Sequence, residues 1–123
     1  MRILIVDDEP IGVLVIKRCL ERAGHQTECA GDGAAALEKI RERAPDLLIT
    51  DIQMPVMCGE KLCDAIRAEF PDRRFPIIVM TATVERGIRE WVARIPGAEL
   101  LEKPFSPRQI VARVDEHAAT LSA

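Results

Sequence analysis

The chain has 123 residues, 48% of them hydrophobic and 30% charged, with a net charge of −3 and a mean hydropathy of +0.04, which is enough apolar material for one core and too much for a disordered segment. The acidic balance excludes an electrostatic footprint for nucleic acid or an anionic membrane, and no apolar run approaches the ~20 residues that span a bilayer. Met1-Arg2 leads into an apolar strand pattern without the regions of a secretory signal, and Cys19, Cys29, Cys58 and Cys63 contain no C-x-x-C pair, so reduced thiols and a cytoplasmic location are expected.

Arg2-Ile3-Leu4-Ile5-Val6 is an unalternating apolar run, the pattern of a strand covered on both faces, and it ends in Asp7-Asp8-Glu9. Pro10 suits a first helical turn, and a helix over residues 11–23 should close at Gly24. The helical wheel groups Ile11, Val15, Ile16, Cys19, Leu20 and Ala23 on one buried side, opposite Lys17, Arg18 and Glu21, with Leu14 out of place among the charges. Residues 25–30 read as a weak edge strand beginning at His25. Gly31-Asp32-Gly33 reads as a turn, and residues 34–43 as a helix that buries Ala36, Leu37 and Ile40. Ala44-Pro45-Asp46 breaks that helix before Leu47-Leu48-Ile49-Thr50, a buried strand running straight into Asp51 and stopped by Met54-Pro55. A helix over residues 60–69, a strand at Ile77-Ile78-Val79-Met80 ending in Thr81, and a helix over residues 84–95 follow. A short strand at Leu100-Leu101 leads to Lys103-Pro104, and a last helix runs from residue 107 to about 121.

Strand and helix alternate through the whole chain with short connections, which implies a single α/β domain over residues 1–123 with a parallel sheet and helices on both faces. A flavodoxin-like (βα)5 order of 2-1-3-4-5 would set the first and third strands side by side at a topological switch point. Four strand ends then deliver chemistry to one lip: Asp7, Asp8 and Glu9; Asp51; Thr81; and Lys103. Clustered carboxylates raise one another's pKa unless a cation joins them, and an oxygen-rich set suits magnesium. A lysine offers charge and a threonine a hydroxyl, so the sum is a site for a phosphoryl group with Asp51 as its acceptor.

On the Asp7-Asp8 pair, Asp51 with Met54-Pro55 and Gly59, Thr81-Ala82, and Lys103-Pro104-Phe105, the chain resembles a receiver domain of a two-component response regulator, of the chemotaxis-regulator type, over essentially its whole length. The resemblance implies that Asp51 takes phosphate from a histidine kinase or a histidine phosphotransfer protein. It further implies that Asp8, Asp51 and the backbone carbonyl of Gln53 hold Mg2+, with Asp7 acting through water. Lys103 would pair with the phosphoryl oxygens and Thr81 would move toward them. A cis bond before Pro104 would aim Lys103 inward. Gln53 and Thr83 would tune the lifetime of the aspartyl phosphate. The family usually has Tyr or Phe three residues before the lysine. Here that residue is Leu100 and the chain has no tyrosine, so a rotating ring is not the expected signal; Trp91 is an alternative reporter.

Leu14 makes the outer face of the first helix unusually apolar, and the resemblance assigns this face and the loop after Lys103 to docking of the kinase or phosphotransfer helices. The downstream target is an unspecified protein, homodimerisation on phosphorylation is compatible with the family, and neither nucleic acid nor membrane is expected as a partner of this domain. His25 and His117 are placed on a loop edge and an outer helix, without a phosphohistidine role. Two other functions remain open. A magnesium-dependent aspartyl phosphatase or phosphotransferase would normally carry a second acid where this chain has Gln53, together with a cap insertion. A pseudo-receiver would bind partners without phosphate, against which the full acid, threonine and lysine set counts.

Overall fold

The computed structural model describes residues 1–53, 57–82 and 86–122. Five strands alternate with five helices: β1 (Arg2–Val6), α1 (Pro10–Arg22), β2 (Gln26–Ala30), α2 (Gly33–Glu42), β3 (Leu47–Asp51), α3 (Gly59–Glu69), β4 (Ile77–Thr81), α4 (Arg86–Ala93), β5 (Ala98–Glu102) and α5 (Pro107–Ser122). All strand pairs are parallel and the order is β2-β1-β3-β4-β5. The expected architecture and order are therefore found.

The unalternating strands are covered on both faces because each residue parity has its own layer of helices. Leu4, Val6, Leu48, Ile77 and Val79 pack beneath Ala36, Leu37 and Ile40 of α2, Leu62 and Ile66 of α3, and Val92 of α4. The opposite parity, including Ile3, Ile5, Ile49, Ile78 and Met80, meets Ile16 and Leu20 of α1 and Ile110 and Val114 of α5. Truncating a fully buried side chain such as Leu20 in such a layer costs about 2–5 kcal/mol. The register then fixes the lip. Val6 lies beside Thr50, Asp51 beside Met80, and Thr81 beside Glu102, so β1, β3, β4 and β5 all end at the same edge.

Three expectations are corrected. The wheel sets Ile11 and Val15 on the buried side of α1, yet they are 80% and 46% exposed, and Leu14 beside them is 44% exposed. Residues four apart drift by about 40° per step, so Ile11 stands roughly 140° from Ile16 around the helix and cannot share its core contact. Ala23 lies past the end of α1 and is exposed as well. His25 lies in the connection before β2 rather than being the first residue of the strand. It is buried, and holds Asp115 Oδ1 at 2.9 Å through Nε2 and the Met1 amino group at 3.2 Å through Nδ1. Two polar partners on α5 and at the start of β1 explain why a titratable ring tolerates burial there. β5 is longer than the Leu100-Leu101 pair, since Ala98–Glu102 pairs fully along β4. The Met54-Pro55 break, Thr83 and the expected first residues of the fourth helix lie outside the described residues.

The cysteines are free, and Cys63, sealed between α3 and the sheet, has its thiol pushed up to about 12 by burial. Labelling with iodoacetamide at pH 8 should therefore modify Cys63 last of the four, at a rate that rises with denaturant as the molecule unfolds. Labelling of Cys63 as fast as the half-buried Cys58 would show that the α3 layer opens locally.

Candidate functional site

Asp7 follows the last residue of β1 and is only 5% exposed. Its N–H continues the sheet pattern by donating to the Ala30 carbonyl at 3.1 Å, and its Oδ1 accepts the Glu9 N–H at 3.1 Å, which turns the chain into α1. Asp8 is exposed. Asp51 closes β3: its Oδ1 accepts the Ile52 N–H at 2.8 Å, and the Thr50 hydroxyl donates to its carbonyl oxygen at 2.9 Å. At the neighbouring strand ends, buried Thr81 accepts the Lys103 N–H on its carbonyl at 2.7 Å. The Lys103-Pro104 bond is cis.

These strand ends bring Lys103 Nζ to 2.9 Å from Asp51 Oδ2 and 3.9 Å from Asp7 Oδ2. One carboxylate oxygen from each of Asp7, Asp8 and Asp51 lies within 4.8 Å of the others. The donors are hard oxygens without sulfur or imidazole, so the chemistry of the set fits magnesium rather than zinc. Burial pushes the Asp7 carboxyl up. The Glu9 N–H and Lys103 oppose that push, while the charges of Asp51 and Asp8 add to it. Burial disfavours the Lys103 ammonium, but its hydrogen bond to Asp51 and the charges of Asp51, Asp7 and Glu9 outweigh burial and hold its pKa above the ordinary value.

Asp7, Asp8, Asp51 and Lys103 thus come together in one cluster, and Thr81 ends the neighbouring strand with its carbonyl bonded to the Lys103 N–H. Gln53 is exposed two residues beyond Asp51. Beside the cluster opens a cleft of about 580 Å³, walled by Glu9, Gly12, Val15, Ala82, Pro104 and Phe105. Asp7 and Lys103 line it on the site's side, and the exposed Val15 lines it on the side of α1. Sequence reasoning did not assemble this cleft, because Gly12 and Ala82 carry no chemical signal and become walls only through tertiary packing. It also gave Gly33 no part near the site, although the Gly33 N–H donates to the Met57 carbonyl at 3.0 Å in the connection after Asp51. Trp91 is half-buried on α4 and packs, with Leu100, against the layer formed by α2, α3 and α4. Among the described residues no helix is long and apolar enough to cross a membrane.

The family model described as the response regulator receiver domain matches residues 3–115. The alkaline phosphatase synthesis transcriptional regulatory protein PhoP of Bacillus subtilis is 35% identical over 113 residues, covering 92% of this chain and 46% of that protein. Sensor histidine kinase TmoS of Ectopseudomonas mendocina is 39% identical over 113 residues, covering 92% of this chain and 12% of that protein. The chain therefore spans less than half the length of these curated relatives. The solved chemotaxis response regulator CheY4 of Vibrio cholerae superposes with a TM-score of 0.85 at 28% identity, covering 94% of this chain and 97% of that one.

The crowded carboxylates predict two thermal effects. Magnesium at ten times its dissociation constant should stabilise the protein by about 1.4 kcal/mol, roughly 5 °C in melting temperature. Asp7→Asn should melt higher than the native chain without metal and gain less from magnesium. Because the Asp7 pKa is raised, this group should add stability to the metal-free protein as pH falls through the raised value, complete below the ordinary carboxylate value of 3.8. Equal metal-free melting of the native chain and Asp7→Asn would show that the repulsion is negligible.

Proposed function

Because the chain belongs to the response regulator receiver domain family, a signalling domain of two-component systems, we propose that Asp51 accepts a phosphoryl group from a phosphohistidine of a histidine kinase or histidine phosphotransfer protein. The observation that carries this is the Lys103 ammonium 2.9 Å from Asp51 Oδ2, with Asp7 and Asp8 in the same cluster. An Asp51 carboxylate oxygen attacks phosphorus, the phosphorus–nitrogen bond breaks, and its electron pair leaves with the imidazole; the product is an acyl phosphate on Asp51. Hydrogen bonds from the Ile52 N–H and Lys103 hold the carboxylate before attack, and Lys103 then follows the phosphoryl oxygens. Asp8, Asp51 and the Gln53 backbone carbonyl would hold magnesium, with Asp7 through water, and the ion supplies positive charge against the phosphoryl oxygens. Hydrolysis of the acyl phosphate returns the site to its starting state, which makes the domain a timer as well as a receiver.

The Thr81 hydroxyl reports the new charge by moving toward it, and contacts with a downstream protein change in consequence. With Leu100 where the family usually has an aromatic ring, the signal leaves through threonine and loop movement. The donor's helices dock on the Ile11, Leu14 and Val15 patch, with the loop after Lys103 along one border, which brings the phosphohistidine over the cleft. Residues 1–123 act as one domain, in the cytoplasm, where such donors reside; homodimerisation on phosphorylation is one form the output takes.

Acetyl phosphate with magnesium should add one phosphate-sized mass to the native chain, none to Asp51→Ala, and none to the native chain when EDTA removes the ion. An Asp51→Ala chain that gains the same mass would sink the assignment. Leu14→Arg should slow transfer from a cognate phosphohistidine protein about tenfold, the scale of one lost apolar contact plus a misplaced charge, and leave acetyl phosphate labelling unchanged. Equal slowing of both reactions counts against docking on α1.

A further inference from the structure

Gly31-Asp32-Gly33 reads in sequence as turn chemistry, and none of the roles proposed above falls to it. In the fold this segment touches the connection that follows Asp51. Asp32 caps α2 by accepting the Ala35 N–H at 2.8 Å, which fixes Gly33 as the first residue of the helix. The Gly33 N–H, left without a partner inside the helix, donates to the Met57 carbonyl at 3.0 Å. The two segments approach so closely that a β-carbon on Gly33 would lie 2.8 Å from both the carbonyl oxygen and Cγ of Met57. The carbonyl oxygen is backbone and does not swing aside as a side-chain tip does. Two residues further on, Gly59 makes an equally close approach to the end of β3. Its N–H donates to the Ile52 carbonyl at 2.7 Å, and a β-carbon there would fall 2.2 Å from the Asp51 carbonyl oxygen. A continuous path of contacts thus runs from Gly33 through Met57 and Gly59 to the backbone of Asp51.

We propose that Gly33 is a positioning residue for phosphoryl transfer at Asp51: α2 seats Met57, Met57 leads within two residues to the start of α3, and Gly59 at that start sets the backbone of Asp51. This rests on Asp51 being the acceptor. Gly33 touches no reacting group, so its effect is geometric. A side chain at residue 33 forces one of two movements, α2 away from α3 or Met57 away from α2. The first is opposed by Ala36, Leu37 and Ile40 packed in one buried cluster with Leu62, Cys63 and Ile66, and by the Arg41–Glu69 ion pair between the two helices. The displacement therefore falls on Met57 and passes to Gly59 and Asp51. Misplacing a reacting group by about 1 Å costs on the order of a hundredfold in rate, and losing the outer support of a metal ligand costs about 10–100-fold in affinity.

The experiment follows acetyl phosphate labelling by intact mass over a magnesium titration, for the native chain, Gly33→Ala, Gly31→Ala and Asp51→Ala. A β-carbon on Gly31 meets nothing within 4 Å, so that variant controls for glycine loss. Gly33→Ala should need about tenfold more magnesium for half-maximal labelling, Gly31→Ala should match the native chain, and adding Met57→Gly to Gly33→Ala should recover part of the loss by removing two of the three colliding atoms. A role in stability alone would lower the melting temperature and leave the magnesium midpoint where it was, which overturns the proposal. Hydrogen exchange on the native chain supplies a readout free of folding defects: the Gly33 N–H should exchange more slowly once magnesium and acetyl phosphate are added, and unchanged exchange overturns the proposal even if Gly33→Ala does not fold. No adduct on the native chain, or an equal one on Asp51→Ala, removes the acceptor and this proposal with it; an Asp51 adduct that Gly33→Ala forms at the native rate and midpoint removes the proposal alone.

Discussion

The ion pair between Lys103 and Asp51, 2.9 Å long, is the contact on which the site depends. Among the described residues three carboxylates converge there and one ammonium, that of Lys103, stands among them, so their charges leave a local excess of negative charge. Such an arrangement costs stability in isolation and becomes favourable when cations or positively charged partners complete it. The burial of Asp7 sharpens this, because a carboxyl with little access to water cannot rely on solvent for compensation. The rigidity needed to hold like charges together comes from below, where two apolar layers clamp strands β1, β3 and β4 from both faces.

Charge and shape are divided between two neighbouring regions. The carboxylate cluster offers chemistry with little shape, since its groups converge on one small volume. The adjoining cleft, beyond the Asp7, Glu9 and Lys103 that border the cluster, and the apolar patch of α1 offer mainly shape, being built from Gly12, Ala82, Pro104, Phe105 and exposed aliphatics. In the proposed function the first region performs phosphoryl transfer and the second selects who performs it, so the two would be free to diverge independently. Beyond β3, Gly33 approaches Met57 and Gly59 approaches Asp51 so closely that a β-carbon on either glycine would collide. The glycine at α3 lies directly against Asp51, whereas the one at α2 acts at a distance.

Leu100 illustrates how a departure from the family pattern is absorbed. It sits opposite Val79 in the sheet and joins the layer beneath α4, where Trp91 also packs, so an aliphatic side chain there is accommodated as core material. A phenol ring in the family would have a polar tip to present outward; leucine has none, and its preference is to stay. In the proposed function the signal accordingly leaves through threonine and loop movement rather than through one rotating side chain.

Much of this was legible in the residues themselves. Unalternating aliphatic runs dictated a sheet covered on both sides, strict strand–helix alternation dictated parallel pairing, and chemistry-bearing residues at four strand ends dictated where Asp7, Asp8, Asp51, Thr81 and Lys103 would meet. These follow from local periodicity and from handed connections, both of which a one-dimensional string records. Three-dimensional packing decided the rest. The wheel of α1 does not say which arc of a helix whose first two turns are entirely apolar faces the core, so Ile11 and Val15 fall on the wrong side; the burial of His25 is not legible because its partners, Asp115 and the amino terminus, are remote in sequence. The closeness of Gly33 to Met57 was equally invisible, since an absent side chain leaves no trace in a pattern until a neighbouring backbone occupies its space.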